Sequence, residues 1–134
     1  MFYKEDALIT LPVKQSSFEK IKEDVFGITG NTEESRRILL ACDEALTNII
    51  SYSGATSLSY SCEKVNDRLR IVFIDNGIAF DPTAAQTEER DFELLDSGGV
   101  GIMLMRESAE SMHYERKNDR NILILYFSLT ARAF

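Results

Sequence analysis

Residues 69–77 read Leu69-Arg70-Ile71-Val72-Phe73-Ile74-Asp75-Asn76-Gly77, an apolar run that stops at a carboxylate and a glycine. A stretch this long, β-branched and aromatic and closed by turn residues, reads as a buried strand. Upstream, Leu58, Tyr60 and Cys62 alternate with Ser57, Ser59 and Ser61, the period of a strand with one covered face. The two are joined through Asn66-Asp67, so they predict an antiparallel hairpin. A second hairpin is predicted from about 114–117 and 121–129, turning at Asn118-Asp119-Arg120. Residues 7–12 read as a further strand, with Ala7, Ile9 and Leu11 alternating against Leu8 and Thr10; Pro12 suits an edge or a strand end.

The rest of the ordered chain has helical period. Ser16 or Ser17 caps a short helix to about Val25, with Phe18, Ile21, Val25 and Phe26 at helical spacing, and Gly27 and Gly30 break it. A long helix comes next, its capping box read as Asn31 with Glu34 three residues on. Ile38, Leu39, Cys42, Ala45, Leu46, Ile49 and Ile50 form its apolar stripe, and Ser53-Gly54 ends it. A third helix opens on Gly98-Gly99-Val100-Gly101 and runs to about Met112, with Ile102, Met105 and Ala109 on one side. Helices alternating with hairpins predict an α+β fold: a two-layer α/β sandwich whose mixed, mainly antiparallel sheet carries helices on one face. Residues 1–134 are read as a single domain.

Composition narrows the partners. Fifteen basic against 22 acidic side chains give a formal charge of −7, which argues against nucleic acid or an anionic membrane. Apolar runs fall far short of the roughly 20 residues a bilayer requires. The start, Met1-Phe2-Tyr3-Lys4-Glu5-Asp6, lacks the pattern of a signal peptide, so a cytoplasmic protein is expected. Cys42 and Cys62 lie in apolar patterns without CxxC spacing and read as reduced core residues; with one histidine a zinc site is not expected.

Three short segments carry chemistry. Glu44 and Asn48 are four apart, one turn from each other on a helix face offset from the apolar stripe. An amide oxygen there is a hard ligand of the kind Mg²⁺ takes together with phosphates and water. The glutamate is then placed to accept a proton from an attacking hydroxyl or water. The plain alternative is a solvated helix face. Asp75 ends a buried strand and requires a donor, which an adenine amino group can be, or else the turn backbone in an Asx-turn. Gly77 lets the backbone pass close to a flat base or take positive φ. The glycine turn at 98–101 offers N–H groups to an anion at a helix start, or is a hinge before a core helix. It is neither a Walker loop nor a dinucleotide fingerprint, because no Gly-Lys-Ser/Thr and no parallel βαβ unit accompany it. Residues 78–98 carry little periodicity and read as a long functional or mobile loop, rich in acid at Asp81, Glu88, Glu89, Asp91, Glu93 and Asp96.

Taken in order, Glu44-x-x-x-Asn48, Asp75-x-Gly77-x-x-Phe80-Asp81-Pro82 and Gly99-x-Gly101-Ile102 resemble the GHKL, or Bergerat-fold, ATPases. The resemblance covers about residues 10–130 and is strongest to the bacterial anti-sigma factor serine/threonine kinases. It implies Glu44 as catalytic base and Asn48 as ligand of Mg²⁺. Asp75 with Gly77 and Phe80 would take the adenine of ATP, and Gly98, Gly99, Val100, Gly101 and Ile102 would border a lid over its phosphates. Tyr52 stands where the family often has His, Ala79 where it has a second glycine, and Arg90 is the lid's one phosphate partner. The implied activity is phosphorylation of a STAS-type anti-sigma factor antagonist together with sequestration of a sigma factor, by a homodimer. Two alternatives stay open. One is a non-catalytic ATP-binding partner-switching module. The other is a detached histidine-kinase ATPase domain, whose phosphoacceptor helix could only use His113, read here as a core histidine at a helix end.

Overall fold

The computed structural model describes residues 3–83 and 99–129, of which 99–102 are described by their backbone. A 3-10 turn at Glu5–Ala7 leads into β1, Ile9–Leu11. A second turn, Gln15–Ser17, opens α1, Phe18–Thr29, and then comes α2, Glu33–Asn48, with a π-helical last turn at Ile49–Ser53. Strands β2, Leu58–Val65, and β3, Arg68–Asp75, form the first hairpin; α3, Gly99–Ser108, precedes the second, β4, Ser111–Lys117, and β5, Arg120–Ser128. The five strands lie in the order β1-β2-β3-β5-β4. Every pairing among the described residues is antiparallel, so the mixed sheet the sequence allowed is not seen.

The helices share one face of this sheet. Ile21 and Val25 of α1, Ile38, Cys42 and Leu46 of α2 and Met105 of α3 join Leu58, Tyr60, Leu69, Ile71, Phe73, Leu123, Leu125 and Phe127 in one buried cluster. The α+β sandwich expected from the sequence is therefore the architecture found. Tyr60 reaches across the layers: its hydroxyl donates to Asp24 of α1 at 3.0 Å, and Lys20 holds that carboxylate at 3.1 Å. Cys42 is buried and Cys62 half-buried, both free. Burial pushes the Cys62 thiol up to about 12, so it stays protonated and acts as a small apolar side chain.

β3 and β5 do not alternate, and the reverse face explains it. Val72, Ile74, Ile122 and Ile124 form a second cluster there, against which Tyr3, Leu8 and Tyr126 pack. Strands covered on both faces read as unbroken apolar runs.

Several boundaries move. The α2 cap is Thr32, whose Oγ1 accepts from Ser35 N–H at 3.1 Å while Ser35 Oγ accepts from Thr32 N–H at 2.9 Å. The box thus sits one residue beyond the Asn31–Glu34 pair, because two short hydroxyls reach the backbone reciprocally. Gly27 lies inside α1: one internal glycine costs only about 1 kcal/mol, and Gly30, at φ 77°, ends the helix. Gly54, at φ 69°, ends α2 as expected. α3 stops at Ser108 rather than Met112, since Glu110 N–H turns to the Tyr126 carbonyl at 2.7 Å and starts β4. His113 accordingly lies exposed on β4, edge-on to Tyr126 with ring centroids 5.7 Å apart; it is neither on a helix nor in the core. β1 is shorter than residues 7–12, with Leu11 buried and Ile9 exposed.

Leu46 is fully buried in the last turn of α2, whereas Leu40 on the same helix is exposed. Leu46→Ala is expected to lower stability by about 2–5 kcal/mol, and Leu40→Ala to stay within about 0.5 kcal/mol, both read by urea unfolding. Equal effects would contradict this layering.

Candidate functional site

Asp75, at the end of β3, is 5% exposed, yet one backbone and one side-chain donor reach it. Its Oδ1 accepts from Gly77 N–H at 2.8 Å, the Asx-turn anticipated as one alternative, and from Asn121 Nδ2 at 3.0 Å. Oδ2 has no protein donor among the described residues. Asp75 lines a cavity of about 120 Å³ together with Asn48, Tyr52, Phe80, Met105, Tyr114 and Asn121. That space has room for a few waters and opens between the end of the sheet, α2 and α3.

Asn48 reaches this cavity from the last turn of α2, and its Nδ2 is buried without a hydrogen-bond partner among the described residues. An unpaired buried amide atom is costly. Either end of an amide can be turned to the same place, so the position suits a donor or, with oxygen there, a ligand to a cation. Glu44, one turn earlier, is half-buried and does not line the cavity. Burial, and then the charge of Asp43, raise its carboxyl above the ordinary range. Asp43 itself accepts from Gln15 Nε2 at 2.8 Å.

Gly77 is explained differently from the sequence reading. Its φ is not positive, and it approaches protein backbone rather than open space for a base. A Cβ there would lie 2.4 Å from the Ser53 carbonyl oxygen and 2.5 Å from Ser53 Cβ. The π-helical turn Ile49–Ser53 brings Ser53 to this contact, where its carbonyl also accepts from Ile78 N–H at 2.9 Å. Such turns are frequent beside functional sites. Ser53 Oγ in turn closes its own turn, donating to the Ile49 carbonyl at 2.6 Å.

The glycine segment divides. Gly99, Val100, Gly101 and Ile102 form the first turn of α3 instead of a loop before it, and α3 packs on α2. The free N–H groups of a first helical turn are then supplied by these residues. Gly98 and Arg90 lie outside the described residues, as do the loop acids from Glu88 to Asp96. Phe80 lines the cavity while 42% exposed, and Tyr52 does so at 48%.

Four polar residues of this region escape sequence reasoning. Asn76 accepts from Thr56 and Ser57 N–H at 2.8 and 3.0 Å and anchors the turn after β3. Asn121, Tyr114 and Arg116 come from the second hairpin. A signal for Asn121 existed: setting the apolar runs of β3 and β5 antiparallel puts Asn121 opposite Asp75, the register observed. A larger open groove, about 640 Å³ along α1 and lined by Pro12, Lys20 and Phe26, holds none of these groups. Convergence of amide and carboxylate, rather than size, makes the smaller cavity the candidate.

This architecture is shared with histidine kinase domains. The chain is similar to the histidine kinase domain of the blue-light activated histidine kinase from Erythrobacter litoralis EL346, with a TM-score of 0.56 at 15% identity over 90% of this chain and 62% of that one. It is also similar to the histidine kinase AdeS of Acinetobacter baumannii, with a TM-score of 0.54 at 17% identity over 92% and 68%. The chain belongs to the histidine kinase-like ATPase domain family, whose profile matches residues 18–127. It is 30% identical over 94 residues to the serine/threonine-protein kinase BtrW of Bordetella bronchiseptica, and the match spans 66% of each chain. Among the described residues no helix is long and apolar enough to cross a membrane.

Gly77→Ala must displace backbone, not a flexible side-chain end. It is expected to cost about 1–3 kcal/mol in urea unfolding, the usual penalty of overpacking. An alanine variant as stable as the wild type would show that the Ser53 contact is not a constraint.

Proposed function

We propose that this protein is a cytoplasmic, Mg-ATP-dependent kinase that phosphorylates a serine or threonine of a partner protein. We further propose that the partner is a STAS-type anti-sigma factor antagonist, that the kinase sequesters a sigma factor, and that it works as a homodimer over a single domain spanning 1–134. The observation that carries the reading is the meeting of Asn48 and Asp75 on one cavity, with Asp75 Oδ2 clear of any donor among the described residues. Resemblance to the anti-sigma kinases and similarity to a protein named a serine/threonine-protein kinase support the finer assignment.

In this reading adenine enters the cavity beside Phe80, and its amino group donates to Asp75 Oδ2. Gly77 contributes by holding the turn against Ser53. The N–H groups of Gly99 to Ile102, at the positive end of the α3 dipole, receive phosphate oxygens. Asn48 would hold Mg²⁺ through its side-chain oxygen, once the amide is turned to put that oxygen where Nδ2 is now buried without a partner among the described residues, and the ion would supply positive charge to the phosphates. The partner's hydroxyl oxygen bonds to the γ-phosphorus while the bond to ADP breaks. Its proton passes to Glu44, directly or through one water.

Glu44 stands off the cavity wall, and that favours a second reading: a nucleotide-held switch that binds partners without transfer. Label transfer from ATP to a bound partner separates the two, since the kinase requires it and Glu44→Gln abolishes it. A histidine-kinase role for His113 finds no support, because that residue lies on β4.

Nucleotide titration tests the site. Asp75→Ala is expected to lose binding with or without Mg²⁺, whereas Asn48→Ala loses mainly the metal-dependent part. Equal binding by both variants and the wild type would defeat the assignment.

The pH dependence comes from the raised Glu44 carboxyl. The base works above its own titration, so transfer falls on acidification at a pH above the ordinary glutamate value of about 4.3. Asp43→Asn removes the neighbouring negative charge and is expected to move that acid limb to lower pH. A limb that stays in place in the pH–rate profile would remove Glu44 from the role of base.

A further inference from the structure

Asn121 opens the apolar run of β5 and is 5% exposed, and its amide has every hydrogen-bonding position filled. Nδ2 donates to Asp75 Oδ1 at 3.0 Å and to the Ile78 carbonyl at 2.7 Å. Oδ1 accepts from Phe80 N–H at 3.2 Å, from the Tyr114 hydroxyl and from the Arg116 guanidinium at 3.2 Å. Arg116 also donates to the Gly77 carbonyl at 2.8 Å. One side chain thus joins both ends of the turn after Asp75 to the strand beside it.

An asparagine amide can present either end to a neighbour. Here the Phe80 N–H and the Arg116 guanidinium can only donate and the Ile78 carbonyl can only accept, so the orientation is decided and the Tyr114 hydroxyl donates within it. Nδ2 is left directed at the carboxylate. With Gly77 N–H on the same oxygen, Asp75 Oδ1 carries two donors and cannot rotate away without losing both. Were the amide reversed, two oxygens would oppose each other and the carboxylate would swing. The Arg116 side chain is exposed, so its two hydrogen bonds order a long side chain that packing does not hold.

We infer that Asn121, oriented by the turn backbone at Ile78 and Phe80 and by Arg116 and braced by Tyr114, is a positioning residue for Asp75 that presents Oδ2 alone to the exocyclic amino group of a bound base. The inference rests on the nucleotide reading above. It makes Tyr114 and Arg116 determinants of base selection through Asn121, without requiring that either touch the base. The lock acts through one ligand contact, and removing that contact from the ligand should remove its effect.

The test compares ATP with purine riboside triphosphate, which lacks the amino group, by calorimetry on the full chain. The proteins are wild type, Asn121→Leu, Tyr114→Phe and Arg116→Met. Wild type is expected to prefer ATP. Asn121→Leu should lose about tenfold of that preference, the size of a hydrogen bond to a charged group. Tyr114→Phe and Arg116→Met should each lose part of it, all three with affinity for the amino-free ligand little changed. Arg116→Met alters an exposed side chain and keeps the test available if Asn121→Leu does not fold. Variants that weaken both ligands equally would reduce Asn121 to a structural role and overturn the inference, as would variants that keep the full wild-type preference. If wild type itself binds both ligands alike, the assignment of Asp75 to the base fails first and takes this inference with it.

Discussion

A buried carboxylate must be met by donors, and among the described residues Asp75 meets that demand with only one of its oxygens. Gly77 N–H and Asn121 Nδ2 both fall on Oδ1, each from a different segment. Around that point the constraints multiply. The turn can close on Asp75 only if Gly77 lies flat on Ser53, and Ser53 is there only because α2 widens in its last turn. Asn121 is there only in the β3–β5 register that sets it opposite Asp75. Two strands and the helix α2 are thus fixed to one another by a few polar contacts at the end of an otherwise apolar sheet. Low surrounding polarity strengthens such a network and makes each missing partner costly.

The same junction divides the site by stiffness of purpose. Its wall around Asp75 belongs to β3, β5 and α2, elements that share the main core, and in the proposed reading this wall takes the base. In the same reading the phosphates lie at the first turn of α3, which carries Gly99 and Gly101. A kinase built this way would hold one end of its nucleotide by shape and hydrogen bonds and the other by N–H groups and charge. That arrangement suits a reaction in which positioning and electrostatics, rather than covalent chemistry, lower the barrier.

How much of this could be read beforehand depends on how local each cause is. The α2 stripe from Ile38 to Ile49 and the β2–β3 hairpin were legible because burial imposes a period on neighbouring residues. Asp75 was legible because a carboxylate closing an apolar strand is an anomaly within a few positions. Gly54 was legible as a left-handed helix end. His113 was misplaced because Met105, Ala109 and Met112 continue a helical spacing, while the contact that ends α3, Glu110 to Tyr126, comes from another strand. Gly77 was noticed for the wrong reason: the atom it must avoid belongs to Ser53, far back along the chain at the end of α2. Tyr114 and Arg116 showed nothing unusual in sequence, and Asn121 is signalled only once the runs of β3 and β5 are set antiparallel, since their meaning arises when the two hairpins lie side by side. The capping box was missed by one residue because Asn31–Glu34 and Thr32–Ser35 are both chemically sound, and only the second has two hydroxyls of matching reach.

The π-helical turn at Ile49–Ser53 carries an implication for how this chain tolerates changes of length. A widened turn holds one residue more than the α-helical course over the same span. Deleting one position there would return the turn to ordinary winding and leave the downstream chain near its present face, whereas a deletion in the straight part of α2 would rotate everything beyond it by about 100°. The widened turn therefore absorbs a change of length that the rest of the helix would pass on to the pocket.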